Sequence, residues 1–257
     1  MESEKAELRW KTDDGNWIFG GNPVARTGKE NGVLFRLNLL KNLELGKRVL
    51  SVGCAFGVEL QQSLKQGLMT VGLDPERSFL LKGKSEDNAV NFIQGIGENI
   101  PLSDGSFDLV TLFEVLEHVM QPEVVLKEIN RVLKTNGILF LTVPNRFYPI
   151  ETHGIQICHK QVNNLMGLGI PFFSLAPNFL RKRLERARIY SVAEIISLLR
   201  KNRFEPFIIE YLIPSLDIMR QTSLTRSTSH VLHGLGKAPL LKKLGANIMV
   251  LSKKKAI

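Results

Sequence analysis

Five short apolar runs, at 49–54, 70–73, 89–93, 109–113 and 138–143, alternate with segments of helical spacing or turn residues. Runs of that length suit buried strands, and their alternation with helical segments predicts βαβ units and a parallel sheet. Two later runs, 207–212 and 247–252, bring the expected number of strands to seven. The clearest helix is PEVVLKEINRVL at 122–133, with Pro122 suited to a first helical position and apolar residues at Val124, Val125, Ile129, Val132 and Leu133. The TNG that follows predicts a helix stop and strand entry. Val33, Leu34, Leu37, Leu40 and Leu43 predict an amphipathic helix ending near Gly46, and 192–202 reads as another.

The remaining chain is less regular. Residues 10–23, rich in Gly, Asn, Asp and aromatics, read as a loop or lid. Between Asn145 and Tyr190 the alternation breaks into an insertion containing Pro149, Pro171, Pro177 and the basic stretch RKRLERAR. With 257 residues, 44% of them hydrophobic, the chain is expected to form one domain, 1–257. Its parts are an N-terminal lid and helix (1–46), a cofactor-binding core (47–145), a substrate-cap insertion (146–190) and the C-terminal part of the sheet (191–257). Cys54 and Cys158 are the only cysteines, which excludes a disulfide framework and paired zinc ligands and points to a reducing cytoplasm. The N-terminus lacks a secretory pattern, and no run of about 18 apolar residues suggests a bilayer span. Against 25 Asp+Glu stand 34 Lys+Arg, a surplus of +9 compatible with anionic partners.

The stretch RVLSVGCAFG places small residues where a strand meets a helix, the geometry that lets a nucleotide-like ligand approach backbone N–H groups. Its spacing, Gly53, Cys54, Ala55, Phe56, Gly57, departs from the G-x-G-x-x-G of dinucleotide clamps, which argues against a nicotinamide dehydrogenase. Asp74, in VGLDPE, ends the second strand, where a carboxylate can accept hydrogen bonds from two neighbouring hydroxyls.

Together VLSVGCAFG, VGLDPE, GIGENIPLSDGSFDLVTLFEVLEHV and PEVVLKEINRVLKTNGILFLTVPN resemble the successive motifs of class I S-adenosylmethionine-dependent methyltransferases. The branch resembled is the one that methylates quinone precursors and other small molecules. The resemblance implies a Rossmann-like, doubly wound α/β fold, a mostly parallel seven-stranded sheet with helices on both faces, and S-adenosylmethionine as cofactor. It places Gly53, Cys54, Ala55 and Gly57 beneath the methionine part, Asp74 on the ribose, Pro75 against the adenine and the backbone of Phe113 facing the methionine. The loop Gly95, Ile96, Gly97, Glu98 stands where the family carries G-D-A-E, so Ile96 replaces the acid that meets the adenine, and Gly97 and Glu98 are the substitutes available. Ser51 replaces the acid that orients the cofactor's ammonium, and Ala55 replaces the middle glycine.

A hydroxyl acceptor needs its proton removed, a task suited to an imidazole, and His118 in FEVLEHV is the first candidate base beside a capping or structural role. Glu114, Glu117 and His118, at i, i+3 and i+4, would share one face if helical; a comparable set in the quinone branch is associated with a divalent cation, although no metal is assigned here. Glu151 and His153, in PNRFYPIETHG, are further candidates for a base or an acceptor contact. Phe172 and Phe173 precede Arg181, Lys182, Arg183, Arg186 and Arg188, which suggests a cap with an apolar face beside a cationic one, or a contact to lipid or phosphate. The expected function is methyl transfer to a small molecule, at oxygen, with a lipid-linked or anionic acceptor and peripheral membrane contact as options. Nucleic-acid methylation or binding and a non-catalytic methyltransferase-like module remain the alternatives.

Overall fold

The structure is a computed structural model describing residues 46–65, 67–151, 155–157, 160–162, 170–171, 173–184, 187–212 and 243–256. The helix predicted at 33–43, the lid at 10–23 and His153 lie outside the described residues. The chain divides into two compact units.

The unit built from Leu39–Arg146, Ala187–Glu210 and Asn247–Ile257 carries the sheet. Its elements are β1 (Arg48–Val52), α1 (Val58–Lys65), β2 (Met69–Asp74), α2 (Arg77–Glu86), β3 (Asn91–Gln94), β4 (Phe107–Phe113), α3 (Pro122–Val132) and β5 (Leu133–Pro144). In the other unit, the part drawn from Phe147–Arg186 contains β6 (Ile150–Glu151), β7 (Ile155–Ile157), β8 (Lys160–Val162), β9 (Ile170–Pro171) and α4 (Asn178–Leu184). There β6 pairs with β9 and β7 with β8, both antiparallel, so the insertion expected to be irregular has local sheet structure. The chain continues through α5 (Val192–Lys201), β10 (Phe204–Leu212) and β11 (Asn247–Lys254).

The seven-stranded sheet has the order β10-β11-β5-β4-β1-β2-β3. The pairs β1–β2, β1–β4, β2–β3 and β4–β5 are parallel, and β11 is antiparallel to β5. Strand β1 is central because Val49, Leu50 and Val52 are all buried, the continuous apolar run expected of a parallel strand covered on both faces. From β1 the chain winds one way through β2 and β3 and then the other way through β4 and β5. That reversal makes the carboxyl ends of β1 and β4 the topological switch point, the place where open α/β sheets hold ligands.

Local chemistry explains where the elements differ from the sequence reading. The third strand, expected at 89–93, begins at Asn91 because Asp87 Oδ1 accepts the Ala89 N–H at 2.9 Å and holds the preceding residues in a turn. Helix α3 buries Val125, Leu126, Ile129 and Val132 completely, but it yields to β5 at Leu133, which pairs with Phe107. The register then shifts between Phe107 and Leu109, and Asn136, with a φ of 65°, turns the chain between the two pairings. Arg131 on α3 donates to the Ile100 and Leu102 carbonyls, each at 2.8 Å, fixing the loop between β3 and β4. Helix α5 starts in a capping box formed by Ser191 and Glu194. On helix α4 Phe179 is 81% exposed and Arg181 is 3% exposed, whereas Arg183 is exposed.

Packing reverses the usual preference at one helical glycine. A Cβ on Gly83 would stand 2.5 Å from the Phe56 carbonyl oxygen, a backbone atom fixed by the turn after β1. Glycine-to-alanine exchange inside a helix normally stabilises by about 1 kcal/mol, whereas overpacking of this kind costs roughly 1–3 kcal/mol. Gly83→Ala is therefore expected to lower the urea midpoint; a raised midpoint would contradict this packing.

Candidate active site

The turn after β1 alternates left-handed residues: Gly53 (φ 71°), Ala55 (φ 46°) and Gly57 (φ 74°). Two of these need glycine for space as well as for conformation. A Cβ on Gly53 would lie 2.3 Å from Val115 Cγ2, and one on Gly57 2.6 Å from the Phe92 ring. Ala55 is the exception and pays the Cβ–carbonyl clash of a left-handed L-residue, of order 1–2 kcal/mol. Its geometry is held by a hydrogen bond from its own N–H to Asp74 Oδ2 at 2.9 Å.

Asp74 is the centre of this edge. Its other oxygen, Oδ1, accepts the Glu76 N–H at 2.9 Å, and its carbonyl accepts the Gly95 N–H at 3.1 Å. The neighbouring Leu73 carbonyl accepts Gly53 and Cys54 N–H groups at 2.7 and 3.1 Å. Asp74 is 6% exposed, and burial pushes its pKa above the ordinary carboxylate value while the two N–H donors pull it down. A carboxylate offers about four lone-pair sites; with two accepting backbone N–H groups, the others suit ligand hydroxyls.

The electrostatics of the turn discriminate between ligands. Burial pushes the Cys54 thiol far up, and the charges of Asp74 and Glu59 push it further. Glu59 occupies the first turn of α1, where a pyrophosphate would need a helix end free of carboxylates. Two carboxylates beside a glycine turn favour a cationic ligand bearing hydroxyls over a dinucleotide. The groups present therefore fit S-adenosylmethionine, whose sulfonium and ammonium are positive.

Around this centre the other expected contacts fall on the same edge. Ser51 is 4% exposed within β1, in register with Gly72 and Thr111. Pro75 is exposed, and its carbonyl accepts Gln94 Nε2 at 3.1 Å. The loop at Gly95, Ile96, Gly97 and Glu98 closes as a tight turn, with the Asn99 N–H donating to the Ile96 carbonyl at 3.2 Å. Ile96 stands 50% exposed where the family has its acid. Glu76 was not singled out from the sequence; it caps α2, its Oε1 accepting Ser78 N–H at 3.0 Å and Ser78 Oγ–H at 2.7 Å. An acidic residue followed by Arg77 and Ser78 just before a helix was the available signal.

After β4 the chain does not continue as a helix. Glu114 is left-handed (φ 55°), and residues 116–118 form a turn in which the His118 N–H donates to the Val115 carbonyl at 2.9 Å. The expected single helical face of Glu114, Glu117 and His118 is thus corrected, because the left-handed residue breaks the 3.6-residue period at its start. Phe113 ends β4 and packs edge-on against Phe140, with ring centroids 4.9 Å apart. His118 is 49% exposed, with Nε2 3.8 Å from Oε1 of the fully buried Glu117. Burial, with the Glu114 charge beside it, pushes the Glu117 carboxyl well up. Among the described residues no group of three or more His, Cys, Asp or Glu side chains is arranged to hold a metal. Glu151 is placed on β6 by its backbone, and His153 is outside the described residues.

Restoring glycine at the strained position has a defined effect. Ala55→Gly removes the left-handed clash, against the added entropy of an unfolded glycine, and is expected to stabilise by roughly 0.5–1 kcal/mol. A urea titration reads this as a raised midpoint; a lowered one would show that the turn carries no strain at Ala55.

Residues 50–141 match the family described as methyltransferase domain. Among curated relatives, a ubiquinone biosynthesis O-methyltransferase of Escherichia fergusonii is 32% identical over 106 residues, 39% of this chain and 44% of that protein. The corresponding protein of Xanthomonas oryzae pv. oryzae is 35% identical over 106 residues, with the same two shares. The chain thus spans less than half the length of these relatives. A solved S-adenosylmethionine-dependent methyltransferase of Mesorhizobium loti shares the fold, with a TM-score of 0.59 at 15% identity over 90% of this chain and 100% of that one. Over residues 50–141 the chain thus matches a methyltransferase domain, and in fold it is similar to a solved S-adenosylmethionine-dependent methyltransferase.

Proposed function

We propose that this protein transfers a methyl group from S-adenosylmethionine to an oxygen of a small-molecule acceptor, lipid-linked or anionic in character. The observation that carries the reading is the acidic glycine turn, in which Asp74 is fixed by Ala55 and Glu76 with accepting capacity left for hydroxyls. The cofactor supplies an activated methyl group when bound, so the protein's work is to hold, orient and exclude water. Asp74 orients the ribose, the 53–57 turn carries the methionine part, and the backbone of Phe113 borders it. Pro75, Gly97 and Glu98 border the adenine, without the acid that Ile96 replaces.

His118 accepts the acceptor's proton at Nε2 or Nδ1, its half-exposed ring standing on the turn that follows β4. Glu151 and His153 are proposed as acceptor contacts on their sequence position alone. In this reading the chain is one domain, with 1–46 as lid and 146–190 as substrate cap, and it works in the cytoplasm. Among the described residues no helix is long and apolar enough to cross a membrane.

The basic stretch gives little support to a nucleic-acid partner. Arg181 is buried, and the Arg188 guanidinium donates to backbone carbonyls, so two of the five cations are not offered to phosphates. A non-catalytic module is favoured by one observation, the exposed Ile96 in place of the adenine acid.

Calorimetry with S-adenosylhomocysteine tests the reading directly. The unmodified protein is expected to bind in the micromolar range, and Asp74→Ala to bind about 10- to 100-fold more weakly, the share of a hydrogen bond to a charged group. Absence of binding to the unmodified protein would sink the proposal. His118→Gln is expected to lower kcat by roughly 10²- to 10⁴-fold while leaving that affinity in place; full turnover in this variant would remove His118 as the base.

A further inference from the structure

We propose that Arg188 is a positioning residue for His118, an inference that rests on the role given to His118 above. The sequence groups Arg188 with four other cations as a surface for lipid or phosphate, but its bonds run inward to backbone. Its Nη1 donates to the Val119 carbonyl, its Nη2 to the Met120 carbonyl at 3.0 Å, and its backbone N–H to the Glu117 carbonyl at 3.1 Å. Two residues on, the Tyr190 hydroxyl donates to the Leu116 carbonyl at 3.3 Å. Four carbonyls of the turn, on both sides of His118, are thereby taken by one short segment.

That segment is itself anchored to the sheet. The Tyr190 N–H donates to the Pro144 carbonyl at 3.0 Å, the Arg146 N–H donates to the Tyr190 carbonyl at 2.9 Å, and Tyr190 forms a parallel bridge with Asn145. The turn after β4 has no helix or strand of its own to stiffen it, so its shape depends on these donors. Arginine suits the task because its planar fork presents several N–H groups at once to neighbouring acceptors. A turn held this way fixes the direction of the imidazole, and a base displaced by about 1 Å can lose on the order of 100-fold in rate.

The test follows the His118 ring in the full chain labelled with carbon-13 histidine, using His118→Gln to assign its resonance among the five histidines. In Arg188→Ala the His118 signal is expected to shift and broaden, and kcat to fall roughly 10- to 100-fold, while affinity for S-adenosylhomocysteine stays as in the unmodified protein. Arg188→Lys, whose ammonium is compact and lacks the fork, is expected to show a smaller shift and a partial recovery of kcat. Should Arg188→Ala fail to fold, Arg188→Lys decides alone: a shifted resonance with intact cofactor-product affinity supports the proposal. An unmoved His118 resonance, or a loss of product affinity matching the loss in kcat, overturns it. Full turnover in His118→Gln would overturn the proposed base instead, while the resonance would still report whether Arg188 orients the ring.

Discussion

One buried carboxylate organises the edge on which everything else depends. Asp74 ties its own helix entry at Glu76 to the turn after β1 at Ala55, and its carbonyl ties in the loop after β3 at Gly95. Leu73 beside it holds Gly53 and Cys54. Three loops that would otherwise move separately therefore share one anchor. The anchor also explains how an alanine survives at a left-handed position: the bond from Ala55 to Asp74 offsets part of the strain that its Cβ creates. A buried acid that lost these donors would be left with an unmet desolvation cost, so the shape of the turn and the state of the carboxylate support each other.

The opposite half of the site is built by other means. After β4 the chain turns through a left-handed Glu114 and presents His118 without regular structure, and its carbonyls are met by Arg188 and Tyr190. The turn after β1 and the turn after β4 are thus stiffened by separate sets of bonds, one from β2 and one from the residues that precede α5. Separate supports allow the turn after β4 to change in sequence without disturbing the turn after β1.

Much of this was legible in the sequence, and the failures have physical causes. Short apolar runs located the strands of the large sheet, most plainly β1 and β4, because parallel strands buried on both faces leave a continuous signal. Boundaries slipped where a side chain captured the backbone, as Asp87 does at Ala89, or where pairing began inside an expected helix, as at Leu133. Asp74 was visible from VGLDPE, but its hold on Ala55 joins residues 19 positions apart and leaves no local trace. The carbonyls met by Arg188 lie 68 and 69 positions away, and a basic stretch carries no mark of which arginines turn inward. The same blindness hides the exposure of Phe179 and the burial of Arg181.

The place of β11 has a consequence for how the sheet is assembled. It is the last strand of the sheet in chain order, yet it lies between β5 and β10 and pairs with β5 along seven residue positions, from Asn247–Pro144 to Lys253–Ile138. During synthesis β10 emerges first but has no neighbour to join until β11 is supplied. The edge of β5 stays open for the interval in which more than a hundred residues are translated, an exposed ladder of the kind that invites mispairing. Five strands can form a provisional sheet on the ribosome; closure waits for a single wedge.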